Sequence, residues 1–300
     1  MPPSFDKVRL VIADPSPMIR TGLRAALFPM GFRAITDTAS FVKLHELIEQ
    51  DSLDLLIAST QLEGNDVGYL ISEMRNQRLG GNPFVVVISM LASADPDYVR
   101  RAINAGSDDL LVTPVAPEQL MQRIEKLTRM RKPFVVTHDY TGPDRRLKGR
   151  AGDGPPAPML EPPNPLKVRA ESGIDGTRLD RLVREAGTAL NRLKIERHAA
   201  QLDWLVNHVH ASVRDGVVTN PQALMPYTNK LVVVAEDMTK RMKATPLEPH
   251  LATVADLLDM ARRVDHSVES VAFGELERLA MLAKSVVRVV GSAPPVARSA

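Results

Sequence analysis

Four apolar runs of strand length end at or beside a small polar residue, and chemistry would sit at those ends. Val8–Ala13 is followed by Asp14, Leu53–Ala58 by Ser59 and Leu110–Val112 by Thr113, while Phe84–Ser89 closes on Ser89. The set is one carboxylate and three hydroxyls. A hydroxyl is neutral near pH 7 and is a weak ligand for a hard cation, which prefers carboxylates. Asp14 alone makes a poor Mg²⁺ site, so no metal is expected. His208 and His210 stand two apart, which on a helix points them to different faces rather than at one ion. No HExxH, CxxC, GxSxG or phosphate-cradling glycine loop occurs. The expectation is a protein without catalytic residues or cofactor: not an enzyme.

Composition narrows the class. Three hundred residues fit about two domains of ~150 residues each. Hydrophobic residues make up 44% of the chain and aromatics 4%, so the cores must be built from Leu, Val, Ile, Ala and Met. The formal charge of +2 gives no global field to draw nucleic acid or a membrane surface. There is no cysteine, which excludes disulfides and thiolate chemistry and fits the cytoplasm. The start, MPPSFDKVRL, lacks the apolar stretch of a signal peptide. No apolar run approaches the ~18 residues of a membrane span.

The elements that would position those four ends alternate in type. The near-continuous apolar runs read as strands buried on both faces of a parallel sheet, with Phe32–Thr36 a weaker fifth. Between them lie amphipathic stretches at Pro17–Leu27, Phe41–Glu49, Val67–Gln77, Pro96–Asn104 and Pro117–Arg129. Five βα units argue for a doubly wound α/β sandwich. Ligands of such folds bind at the carboxyl ends of the strands. Residues 131–174 lose periodicity and are rich in Pro, Gly and Arg, as in GDGPPAPMLEPPNP, and read as a linker. From 175 to 291 apolar residues recur at three- and four-residue steps, predicting an antiparallel bundle of three to four long helices with breaks at 215–221 and 244–249. Whether 249–291 is one helix or two stays open. Residues 292–300 read as a disordered tail.

The first 130 residues resemble the receiver domain of bacterial response regulators, of the chemotaxis-regulator type. RLVIADPSPMIRTGLRAAL resembles its first strand and helix, DLLIASTQLEGND its third strand and loop, FVVVISM its fourth strand and AGSDDLLVTPV its fifth-strand motif. The resemblance implies a site of two adjacent acids, an acceptor aspartate, a Ser/Thr hydroxyl and a lysine, with Mg²⁺ neutralising the transferred phosphoryl group. This chain matches at Asp14 and Ser89. It has Pro15 at the second acid, Ser59 at the acceptor, Thr113 at the lysine and Leu110 at the aromatic switch position. A serine makes no acyl phosphate. The resemblance therefore implies a degenerate pseudo-receiver without aspartyl phosphorylation. Asp54, Asp66, Asp108 and Asp109 are alternatives for a relocated acceptor. Asp66, in the loop, is the best placed, and Asp108 and Asp109 suit a turn or cap. Receiver domains present the fourth helix, fifth strand and fifth helix to partners, which here implicates Arg100, Arg101, Leu110, Arg123 and Lys126. An ordinary solvated face accounts for these residues equally well.

Two further segments bear on function. PFVVTHDYTGPDRRLKGR (133–150) reads as a short strand or extended arm that docks through Phe134, Val136 and Tyr140, with Tyr140, Arg145, Arg146 and Arg150 as candidate anion- or partner-binding residues. Arg146 and Arg150 have the RxxxR spacing of cyclic di-GMP-binding segments, and arginine forks suit a phosphodiester. The PilZ barrel that normally follows such a pair has no match here. In the helical half, His198 invites a histidine phosphotransfer reading, although the small residues expected after it are absent. No basic recognition helix stands out, which disfavours a DNA-binding output. Met225, Met238, Met242, Met260 and Met281 read as core fillers. The near-heptad stripes suit a homodimer, binding to another helical protein, or an intramolecular bundle. The expectation is a signalling regulator that acts by binding proteins, with a cyclic di-GMP sensor as the alternative.

Overall fold

The structure, a computed structural model, describes residues 4–146, 158–171, 176–214, 221–266 and 273–292. The chain divides into two compact units, Met1–Thr188 and Ala189–Ala300.

In the first unit β1 (Leu10–Ala13), β2 (Ile35–Thr38), β3 (Leu55–Ser59), β4 (Val86–Leu91) and β5 (Asp109–Val112) form a parallel sheet in the order β2-β1-β3-β4-β5. Side chains alternate across a strand, and the sheet divides its apolar residues accordingly. Leu10, Ile12, Leu55, Ile57, Val86 and Ile88 pack with α1 (Pro17–Leu27) and α5 (Pro117–Arg129). Val11, Leu56, Ala58 and Val87 pack on the other face with α2 (Phe41–Glu49) and α3 (Val67–Arg75). With α4 (Pro96–Asn104) these complete the five expected βα units.

The helix starts follow from local chemistry. Ser16, Ser40, Asp66 and Asp95 each accept a backbone N–H of the first turn, satisfying a donor that the helix itself leaves free. Proline occupies the first turn of α1, α4 and α5, where its missing N–H is no loss. Differences from the expected boundaries have physical causes. Phe32 is a core plug stacked on Phe5 at 4.7 Å and not part of a strand, so β2 starts only at Ile35, opposite Leu10. The Phe84 and Val85 carbonyls accept from Arg131, and the β4 ladder opens at Val86. Helix α3 stops at Arg75 because Gln77 takes a left-handed φ of 58°.

The stretch expected as a linker is structured wherever it is described. β6 (Phe134–Val136) lies between β7 (Thr141–Pro143) and β8 (Met159–Leu160) in an antiparallel sheet. Helix α6 (Pro165–Ala170) puts Leu166 and Ala170 into the core shared with α1 and α5. The reason is burial: Phe134 and Val136 are completely enclosed, which outweighs the weak propensity of a Pro- and Gly-rich sequence. Docking through Phe134 and Val136 matches the expectation, and Tyr140 is half-buried.

Helix α7 (Gly176–Arg214) contains the division between the units. The second unit continues with α8 (Met225–Met242), α9 (Leu251–His266) and α10 (Phe273–Ser292). Among the described residues, the stretch 249–291 is helical over Leu251–His266 and from Phe273 onward. The break at 244–249 is present, with Ala244 at a φ of 54°. The break expected at 215–221 falls mostly, and the 293–300 part of the tail entirely, outside the described residues; Ser292 belongs to α10. The core is aliphatic and includes Met238, Met242 and Met260. Met225 and Met281 are at the surface, 48% and 62% exposed, and are not core fillers.

Candidate functional site

Parallel pairing brings the four strand ends to one edge of the sheet. Ala58 pairs with Ser89 and Ser89 with Leu110. The Asp14 amide donates to Thr38 and the Thr113 amide to Leu91. Asp14 is 3% exposed, and burial raises its carboxyl pKa against the opposing pull of the Ser16 N–H and Arg20. One of its oxygens already accepts the Ser16 N–H at 2.8 Å. The Arg20 guanidinium donates to the carbonyls of Asp14 and Pro15, at 2.7 and 3.2 Å, and binds Asp37 at 3.1 Å. A fixed cation therefore already sits beside the carboxylate. Pro15 and Ser59 add no charge, and the Thr113 hydroxyl donates to Leu91 at 3.1 Å. The peptide Thr113–Pro114 is cis. Ser89 and Ser107 hydroxyls meet at 2.7 Å, both buried. This donor set does not meet what Mg²⁺ prefers, which is carboxylate oxygens in octahedral array. Among the described residues no group of three or more His, Cys, Asp or Glu is placed to hold a metal.

The four other aspartates occupy different places. Asp66 is exposed and caps α3, accepting the Gly68 N–H at 2.8 Å. It lines a small cleft with Thr60, Ser89, Tyr98 and Arg101. Asp54 is at the opposite end of β3, buried and gripped by Arg9 through two bonds of 3.0 and 2.7 Å. Asp109 opens β5 and pairs with Arg123 at 3.4 Å. Asp108 lies in the turn before β5, as expected, and its side chain is also the hub of a buried ion cluster. Arg75 and Arg131 reach it at 2.9 and 2.8 Å, all three side chains nearly inaccessible. Both guanidinium carbons lie over the Phe134 ring, at 5.1 and 4.8 Å. Burial pulls the Arg75 pKa down to about 10, so it stays charged at neutral pH. Nothing in the sequence pattern pointed to Arg75 or Arg131, because pairs so far apart in the chain leave no periodic signal.

The arginine segment is engaged within the chain. Tyr140 donates its hydroxyl to Pro143 at 3.0 Å, and burial raises its pKa. Arg145 donates to the carbonyls of Ser107 and Asp108 at 2.9 and 3.1 Å. Arg146 forks onto Asp144 at 2.9 and 3.2 Å. A methyl group on Gly142 would fall 2.8 Å from the Gly106 Cα, so the glycine lets the two backbones touch. Arg150 lies outside the described residues.

Helices α4 and α5 flank the edge strand β5 and carry the expected face. Arg100 lies 3.5 Å from Asp97, both exposed, and Arg101 covers the Tyr98 ring at 4.6 Å. Leu110 is half-buried and Lys126 exposed.

In the second unit His198 is 2% exposed, with Nε2 2.6 Å from Asp237. Asp237 also accepts from Arg241 at 2.7 Å. Burial holds His198 below the usual imidazole range, although Asp237 pulls the other way. A phosphotransfer histidine must be exposed, so that reading of His198 is corrected. His208 stacks on Trp204 and His210 meets Phe273, on different faces as expected.

Residues 10–125 match the family model of the response regulator receiver domain. The two-component response regulator PprB of Pseudomonas aeruginosa is 25% identical over 141 residues, covering 45% of this chain and 51% of the relative. The match thus spans about half the length of that curated relative. A CheY-like receiver domain protein from Methanospirillum hungatei is 21% identical, with 40% of this chain and 91% of that one covered and a TM-score of 0.36. The receiver domain of NarL from Mycobacterium tuberculosis is also 21% identical, with 42% and 98% covered and a TM-score of 0.37. Residues 10–125 are a response regulator receiver domain, a module of bacterial two-component signal transduction.

Proposed function

We propose that this protein is a signal-transduction regulator whose receiver domain works without aspartyl phosphorylation and whose output is binding to other proteins. It catalyses no reaction and acts in the cytoplasm. The fold alone does not decide this; the carrying observation is the residue set at the carboxyl edge. Ser59 ends β3 where the acceptor would stand, and Asp14 is the one carboxylate among the four strand ends, buried beside Arg20. A serine ester would need a different mechanism from an acyl phosphate, and no charged group replaces the lysine at Thr113. Asp66, the alternative acceptor, is occupied with capping α3. What remains is a rigid platform. Its α4–β5–α5 side carries Arg101 and Lys126, with Arg100 beside Asp97 and Arg123 beside Asp109, cations suited to an acidic protein partner, and the helical unit offers further apolar surface at Trp204 and Val233, 53% and 57% exposed.

The test separates surface from pocket. The full chain is crosslinked in its native host and its partners are identified, for wild type, Ser59→Ala and the double variant Arg101→Glu/Arg123→Glu. The proposal expects the partners of Ser59→Ala to equal those of wild type and those of the double variant to be depleted. Partners lost from Ser59→Ala and kept by the double variant would reverse the reading.

A further inference from the structure

The Ser89 hydroxyl faces the cleft between α3 and α4, and its partner is not a group in that cleft. It meets Ser107 at 2.7 Å, with the two residues 2% and 0% exposed. Ser107 lies in the turn that joins α4 to β5, just after Gly106 with its φ of 95°. The Ser107 carbonyl accepts from Arg145 at 2.9 Å, and the same nitrogen reaches the Asp108 carbonyl at 3.1 Å. Arg145 stands two residues after the end of β7 of the appended sheet. The turn has other ties to that appendage. Gly142 of β7 backs onto Gly106, and Arg131, just before β6, binds Asp108 at 3.0 Å. A buried hydroxyl that loses its partner leaves the other one unsatisfied, so parting Ser89 from the turn carries a cost.

The geometry points to a relay, Ser89–Ser107–Arg145, through which the cleft hydroxyl and the appended β6–β7 hairpin set each other's position. A group entering the cleft and drawing Ser89 away from Ser107 loosens the grip of Arg145 on the turn. A protein partner that pulls the hairpin off the turn frees Ser89. The cleft and the appendage are then two sites on one coupled element, and coupling of this kind is reciprocal. The relay rests on these contacts alone and stands apart from the proposal about phosphorylation.

Native-state hydrogen exchange on the full chain tests it. The hairpin amides of Thr137 and Asp144, bonded to Tyr140 and Pro133, report on the appendage. The Leu47 amide in α2 reports on general loosening of the unit. Ser89→Ala is expected to speed exchange at Thr137 and Asp144 by about 5-fold, the lower end of usual coupling, relative to Leu47. Ser107→Ala should do the same, and the double variant should add nothing to either single change. In the reverse direction, Arg145→Gln should speed exchange at Ser89 and Met90. Unchanged hairpin amides in Ser89→Ala would overturn the relay. So would equal acceleration at Leu47, or single effects that multiply in the double variant.

Discussion

Asp108 receives three guanidinium N–H groups, one from Arg75 and two from Arg131, besides the Val87 amide. Burial works against its charge, and the two arginines outweigh it, so its carboxyl pKa lies below the ordinary 3.8. The ionic contribution is therefore complete above pH 3.8 and is lost as pH falls through the lower, folded value. Removing one partner leaves a buried charge uncompensated, and Arg131→Ala should destabilise the receiver unit by about 3–5 kcal/mol in urea unfolding. A loss under about 1 kcal/mol, the level of a surface pair, would show the cluster to be dispensable. His198 acts in the same direction at a higher pH. Its pKa is lowered by burial from 6.5, so the unfolded chain takes up a proton first. The helical unit should lose stability as pH drops below 6.5 toward the folded value, by at most ~1.4 kcal/mol per pH unit. Fluorescence of Trp204, the one tryptophan, can follow that unfolding, and His198→Gln should remove this part of the slope. Neither cluster was legible beforehand. Arg75 and Asp108 are 33 residues apart and His198 and Asp237 39, and pairing at that range leaves no trace in periodicity.

The elements of the receiver domain were legible because each start carries its own chemistry. SerPro, AspPro and AlaPro dipeptides open α1, α4 and α5, and all three begin and end as expected. Strand limits were less so, since Phe32, Phe84 and Val85 are apolar for packing and for holding Arg131 rather than for the ladder. Within the stretch read as linker, β6 was legible as a short strand or extended arm, while β7 and β8 were not, because two or three residues each, amid prolines and glycines, show no alternation. Tertiary contacts alone stabilise them. A fragment ending at Glu171 should therefore unfold cooperatively in urea. One ending at Met130 lacks Arg131, Phe134 and Leu166, and should lose that cooperative transition or shift it by several kcal/mol, as expected for a buried cluster deprived of a partner. Equal midpoints and slopes for the two fragments would show that the receiver domain ends where the sequence pattern fades.

At the scale of the whole molecule, the chain divides into a receiver unit and a helical unit. The receiver topology was readable from five βα repeats, and the identity of its four strand ends was readable with it. What those ends touch was not: Arg20 beside Asp14, Ser107 against Ser89 and the Leu91 carbonyl on Thr113 depend on how the turns fold back. Each ties a residue at the end of a strand to the protein itself. The measurement that bears most directly on the proposed function is intact mass after incubation with acetyl phosphate and Mg²⁺. The full chain should show no added phosphoryl group, and neither should Ser59→Ala. A stoichiometric phosphoryl gain by the wild-type chain, lost in Asp66→Ala, would contradict the account and move the acceptor to the mouth of the cleft.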